Sequence, residues 1–86
     1  MPAWGVLVRV RLFAALREAA GVEALDLELP EGASAEDAWG RLVERHPGLA
    51  PRRASLAAAV NRSFAPFDTR LGEGDELVFI PPVSGG

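Results

Sequence analysis

Apolar and polar positions alternate cleanly at the start of this chain. Val6, Val8, Val10 and Leu12 interleave with Leu7, Arg9, Arg11 and Phe13, a period of two that predicts a strand with one buried face. In "FAALREAAG" the spacing of Leu12, Leu16, Ala19 and Ala20 is helical, and Gly21 stands where a C-terminal glycine stops a short helix. Leu25, Leu27 and Leu29 alternate with Asp26 and Glu28 as a second strand, ended by Pro30 and Gly32. From Ser34 the period changes. "SAED" resembles a capping box with Asp37 in place of the preferred Glu. Ala38, Trp39, Leu42, Val43 and His46 then form one apolar face of a helix closed by Pro47. "LAPRRAS" is poorly periodic and reads as a loop holding at most one helical turn. Leu56, Ala58 and Val60 predict a third strand closed by Asn61-Arg62, and residues 63–67 a short fourth. "GEGDE" is a turn. Leu77 to Ile80 is a last strand, apolar on both faces, which predicts a central position in the sheet.

Strand, short helix, strand, long helix and three short strands in 86 residues predict an α+β domain. A mixed sheet of about five strands wraps one main helix, and residues 1–86 form a single domain. A chain this short buries only about 60–65% of the surface it exposes when unfolded, so its core is economical. At 49% hydrophobic residues the composition is that of a globular protein. No 18-residue uncharged apolar stretch occurs, and "MPAWGVLVRVRLF" lacks the apolar core of a signal peptide, so a cytoplasmic protein without a membrane role is expected.

There is no cysteine, which removes disulfides, thiolate metal sites and a cysteine nucleophile. Net charge is −3 and all nine cationic side chains are arginines. That balance speaks against a nucleic-acid surface. The local group Arg41, Arg45, Arg52 and Arg53, without interleaved aromatics, reads as a solvated face. His46 is the only histidine, so no His-paired nucleophile or multi-His metal site exists. Glu73, Asp75 and Glu76 fit a hairpin turn better than a calcium loop, which needs more oxygen ligands at regular spacing. They also repel phosphate from Gly72 and Gly74. Asn61-Arg62-Ser63 matches a glycosylation sequon by chance, and Trp39 belongs to the core.

What remains is "IPPVSGG". A strand runs out, Pro81 and Pro82 stiffen the chain, and Val83, Ser84, Gly85 and Gly86 follow. Prolines bias such a tail towards an extended rod with few conformations to lose. Glycines keep its tip slim, letting backbone approach a partner without a Cβ in the way.

Together, "FAALREAAG" and "AAAVNRSFAPFDTRLGEGDELVFIPPVSGG", with the element order between them, resemble the small subunits of molybdopterin synthase. These are MoaD-type sulfur carriers, ubiquitin-like relatives of the thiamine-type ThiS carriers. The likeness covers nearly the whole chain and is strongest over 57–86; the body at 34–56 favours the molybdopterin branch. Ser84 stands where threonine is common.

This resemblance implies a β-grasp fold with a flexible tail at 81–86. It implies that the Gly86 carboxylate is adenylated by a separate ATP-dependent activating enzyme, then converted to a thiocarboxylate with sulfur from a donor protein. The sulfur would pass to the pterin precursor in the molybdopterin synthase large subunit. The chain would be a sulfur-donating subunit of a composite sulfurtransferase, inactive alone and binding no metal or cofactor itself. Pro81, Pro82, Val83, Ser84 and Gly85 would thread the partner's channel, and Phe13, Phe64 and Ile80 would form the docking surface. Sulfur transfer to thiamine or to a tRNA base, conjugation of Gly86 to target lysines, and a plain interaction module with an inert tail remain open at this level.

Overall fold

In the computed structural model, which describes residues 5–82, the elements are β1 (Gly5–Leu12), α1 (Ala14–Ala20), β2 (Ala24–Pro30), α2 (Ala35–Arg45), a 3₁₀ helix (Pro47–Ser55), β3 (Ala57–Val60), β4 (Ser63–Ala65) and β5 (Glu76–Ile80). One five-stranded sheet has the order β2-β1-β5-β3-β4. β1 pairs in parallel with β5, Leu12 lying beside Phe79, and the other pairings are antiparallel. The sheet is therefore mixed, with α2 packed on one face, the β-grasp arrangement. The last strand is central.

Alternation decides which face each strand buries. Val6, Val8, Val10 and Leu12 of β1, Leu27 and Leu29 of β2, and Leu77 and Phe79 of β5 are all buried. From α2 they meet Ala38, Trp39 and Leu42, and from the 3₁₀ helix Leu49. The Trp39 and Phe79 rings stand edge to face with centroids 5.0 Å apart, and Phe67 stacks on Phe79 from the other side at 5.9 Å.

Local chemistry starts and stops the helices. The Asp37 amide donates to Ser34 Oγ, and the Ser34 amide to Asp37 Oδ2, so the capping box is complete. Two further first-turn amides donate to the chain beyond β4: Ala35 N to the Thr69 carbonyl at 3.0 Å, and Glu36 N to that of Phe67 at 2.8 Å. All three leading N–H groups are thus satisfied within the protein. Gly21 closes α1 in the left-handed conformation, φ 78°, its N–H donating to the Arg17 carbonyl.

Three sequence expectations need correction. α1 begins at Ala14, because Leu12 still belongs to β1, and Ala19 points to solvent while Leu16 is buried. The stretch read as a loop is a nine-residue 3₁₀ helix. Pro47 starts it without loss, since a helix's first N–H has no partner, and Leu49 anchors it in the core. Arg53 is not part of a merely solvated face. Its guanidinium carbon lies 3.5 Å from the Phe67 ring centroid, and its Nε donates to Glu36 Oε2 at 2.9 Å. Arg53 thereby ties the 3₁₀ helix to α2 and covers the aromatic stack.

Hydrogen bonding from Arg53 holds the Glu36 carboxyl below the usual carboxylate range, and bonds from Ser34 do the same for Asp37. A carboxylate with a lowered folded pKa stabilises the protein above its unfolded pKa. That contribution is lost as pH falls through the folded value. Unfolding free energy from denaturant titration is therefore expected to decline below about pH 4.5, and Glu36→Gln is expected to flatten that acid limb. Leu42→Ala, at a fully buried position, is expected to cost about 2–5 kcal/mol in the same assay.

Candidate functional site

The sheet has a second face, turned away from α2. Register places its residues in rows. Arg11, Val78, Ala59 and Phe64 lie side by side across β1, β5, β3 and β4, and Ile80 lies opposite Ala57 in the next row. The alternation that buries Leu77 and Phe79 puts Val78 and Ile80 on this open face, both half-buried. Phe13 continues β1 one residue beyond Leu12 in extended conformation, level with Ile80, and is 47% exposed. Phe64 is 78% exposed on a three-residue edge strand. Among the described residues the large exposed hydrophobics are Phe13, Val22 and Phe64. Two of these three are thus on the face that carries the root of the tail.

The surface is apolar at one end and charged at the other. Towards β2 the outward positions are Ala24, Asp26 and Glu28, and Arg9 Nε donates to Asp26 Oδ1 at 2.8 Å. Arg11 lies between the two zones. Its guanidinium reaches Glu76 at 3.7 Å and stands 5.9 Å from the Phe13 ring centroid. From Phe64 an apolar groove of about 420 Å³ continues along Leu56, Ala57 and Pro66. An aromatic and aliphatic patch with an arginine at its rim is the composition of a protein-binding surface.

Side-chain and backbone hydrogen bonds together fix the end of the sheet where β5 begins. Glu73 Oε1 accepts from the Leu7 amide at 2.8 Å, and Gly74 N donates to the Leu7 carbonyl. Asp75 accepts from Gly72 N and from Asn61 Nδ2, while Asn61 Oδ1 accepts from Glu76 N. The acids of this turn are spent on the protein's own donors. Among the described residues no group of His, Cys, Asp and Glu is spaced to hold a metal. A second groove, of about 480 Å³, lies between the end of β2 and the start of α2. Of its acids Glu31, Glu36, Asp37 and Glu44, Glu36 is engaged by Arg53 and Asp37 by Ser34.

Phe13, Phe64 and Ile80, expected from the sequence to share a surface, are brought to one face. Val78, Ala59 and Arg11 on the same face were missed. The alternation of β5 exposes Val78 to sequence reasoning, whereas Ala59 and Arg11 join only through strand register. Pro81 and Pro82 follow β5 without regular structure, Pro81 half-buried and Pro82 exposed. Val83, Ser84, Gly85 and Gly86 lie outside the described residues. No described helix is long and apolar enough to cross a membrane.

Comparison with known proteins agrees with this architecture. The molybdopterin synthase sulfur carrier subunit of Chlamydomonas reinhardtii is 38% identical over 92% of this chain and 98% of its own length. That of Arabidopsis thaliana is 36% identical over 94% and 84%. The crystal structure of small archaeal modifier protein 1 from Haloferax volcanii superposes with a TM-score of 0.86 at 32% identity, covering 93% of this chain and 99% of that one. The ThiS family model matches residues 10–86, so both terminal glycines fall within the match. The chain belongs to the ThiS family of ubiquitin-like β-grasp proteins.

Proposed function

We propose that this protein is the sulfur carrier subunit of a molybdopterin synthase, working in the cytosol. The observation that carries this reading is the near full-length likeness to proteins of that name, beside a ThiS family match that extends through the Pro-Pro and Gly-Gly segment. The open face supplies the physical complement: an apolar patch at the point where the tail leaves the sheet.

The chain's own part in the chemistry is delivery. The Gly86 carboxylate is a poor electrophile. A separate activating enzyme joins it to the α-phosphate of ATP with loss of pyrophosphate, and sulfur from a donor protein then displaces AMP. The resulting thiocarboxylate donates its sulfur to a pterin precursor held by the large subunit. This scheme asks the carrier for no acid, base, metal or cofactor. It asks for a slim tail, Pro81 to Gly85, that enters a buried pocket, and for a grip beside it. Ordering each freely rotating residue costs about 1–2 kcal/mol, so the two prolines lower the cost of threading. Phe13, Phe64 and Ile80 provide the grip.

A second reading, a protein modifier joined through Gly86 to amines of target proteins, is favoured by the likeness to the archaeal modifier. The two readings separate on the state of the terminus. Mass spectrometry of protein taken from cells is expected to find a thiocarboxylate; isopeptide-linked conjugates in its place support the modifier.

Deleting Gly86 moves the carboxylate back by about 3.5 Å, and misplacement by about 1 Å already costs roughly a hundredfold in rate. Deletion, or extension beyond Gly86, is expected to abolish adenylation and sulfur transfer in an assay with the activating enzyme, with the melting temperature unchanged. Full sulfuration of an uncleaved extended chain would remove the terminus as the reacting group.

Phe64→Asp and Ile80→Asp are each expected to weaken binding of the large subunit by about 2 kcal/mol or more, read by calorimetry. For Phe64→Asp the unfolding free energy is expected to stay within about 0.5 kcal/mol of the parent, the usual range for an exposed position.

A further inference from the structure

Among the described residues, left-handed backbone occurs at Gly21 (φ 78°), Gly32 (89°) and Gly74 (82°), and at three residues that carry a Cβ, Ala14 (51°), Asn61 (50°) and Arg62 (73°). Glycine adopts this region freely, and a Cβ is penalised there. The three glycines serve the end of α1, the loop from β2 to α2 and the turn before β5. The other three residues fall in two turns, and these turns hold Phe13 and Phe64, the exposed aromatics of the open face.

Asn61 has a local reason to be where it is. Asn tolerates the left-handed region, and its side chain bonds Asp75 and the Glu76 amide. Ala14 has no polar side chain. For Arg62 the described residues show no hydrogen bond or ion pair of the guanidinium. Glycine would relieve both sites.

Each turn decides where an aromatic points. Leu12 is buried beside Phe79, and Leu16 is buried one turn into α1, its amide donating to the Phe13 carbonyl at 3.1 Å. The reversal at Ala14 returns Leu16 to the core while leaving Phe13 on the open face. Asn61-Arg62 form a two-residue hairpin loop with positive φ at both positions, matched to the twist of the strands it joins. β4 has three residues and β3 as its one paired neighbour, so this loop sets its register. A slip of one residue would turn Phe64 to the other face.

We propose that Ala14 and Arg62 are positioning residues for Phe13 and Phe64: where the flanking contacts hold φ positive, their Cβ atoms close the extended positive-φ region that glycine alone enters, and so pre-organise the docking face at the expense of stability. Strain of this kind persists where the surrounding structure over-determines it. Pre-organised side chains lose less freedom on binding. The inference rests on the reading that the open face docks the large subunit.

The test compares Ala14→Gly, Arg62→Gly, Ala14→Asn and Arg62→Asn in the full-length chain. For the glycine variants the melting temperature is expected to be unchanged or raised by up to about 5 °C, with affinity for the large subunit reduced about three- to tenfold. NMR order parameters of Phe13 or of residues 63–65 are expected to fall. The asparagine variants, which keep a Cβ and tolerate the left-handed region, are expected to bind like the parent. Glycine variants that bind like the parent overturn the proposal. So does Arg62→Asn binding as weakly as Arg62→Gly, which would assign the effect to the lost charge. Ile80→Asp, measured alongside, separates the two layers: parent-like binding there removes the docking reading itself.

Discussion

Parallel pairing of β1 with β5 is the constraint from which the rest of the structure follows. Arg9 is level with Glu76 and Leu12 with Phe79, so the first and last strands end together at one edge of the molecule. Phe79, fully buried, is held between Trp39 and Phe67, and through Phe67 by Arg53 and Glu36. Once Phe79 is seated, the pleat leaves no freedom for its neighbours. Val78 and Ile80 must face outwards, and the chain after Ile80 must leave from the apolar end of the open face.

Core and open apolar face are therefore two sides of one strand. A protein of this size has little apolar surface to spare, yet it leaves Phe64 largely and Phe13 about half exposed, while Phe79 is buried and Phe67 partly buried. The division is economical. α2, the 3₁₀ helix and the aromatic stack supply stability from behind, and the front keeps its aromatic side chains exposed. The acid-rich turn at 72–76 is absorbed into the frame, its carboxylates accepting from main-chain and Asn61 donors.

Much of this was legible in the residues. The alternation of β1 and β2, the Ser34–Asp37 cap and Gly21 carry their structure in local pattern, and local pattern survives packing. β5 read as central because it is apolar on both sides. The 3₁₀ helix did not read, since Pro47 and Pro51 break the periodicity that would announce it and its one buried anchor is Leu49. Arg53 read as one more cation beside Arg52; its partners, Glu36 and Phe67, are distant in sequence, and only the fold brings them within reach. Among the open-face residues, Ile80 followed from alternation, whereas the neighbours of Phe64 depend on register across three strands. Ala14 carried no signal at all, because alanine is rarely chosen for a left-handed position.

The placement of β5 also governs when the molecule can exist. The strand latest in order among the described elements fills the middle of the sheet, between β1, the earliest, and β3. Before it emerges, the two halves of the sheet have no common partner, and Trp39 has no ring beneath it. Closing a contact between the two ends of a chain is the slow, entropically expensive part of folding. A chain interrupted anywhere before Phe79 would therefore lack both the keystone of its core and the segment that follows it.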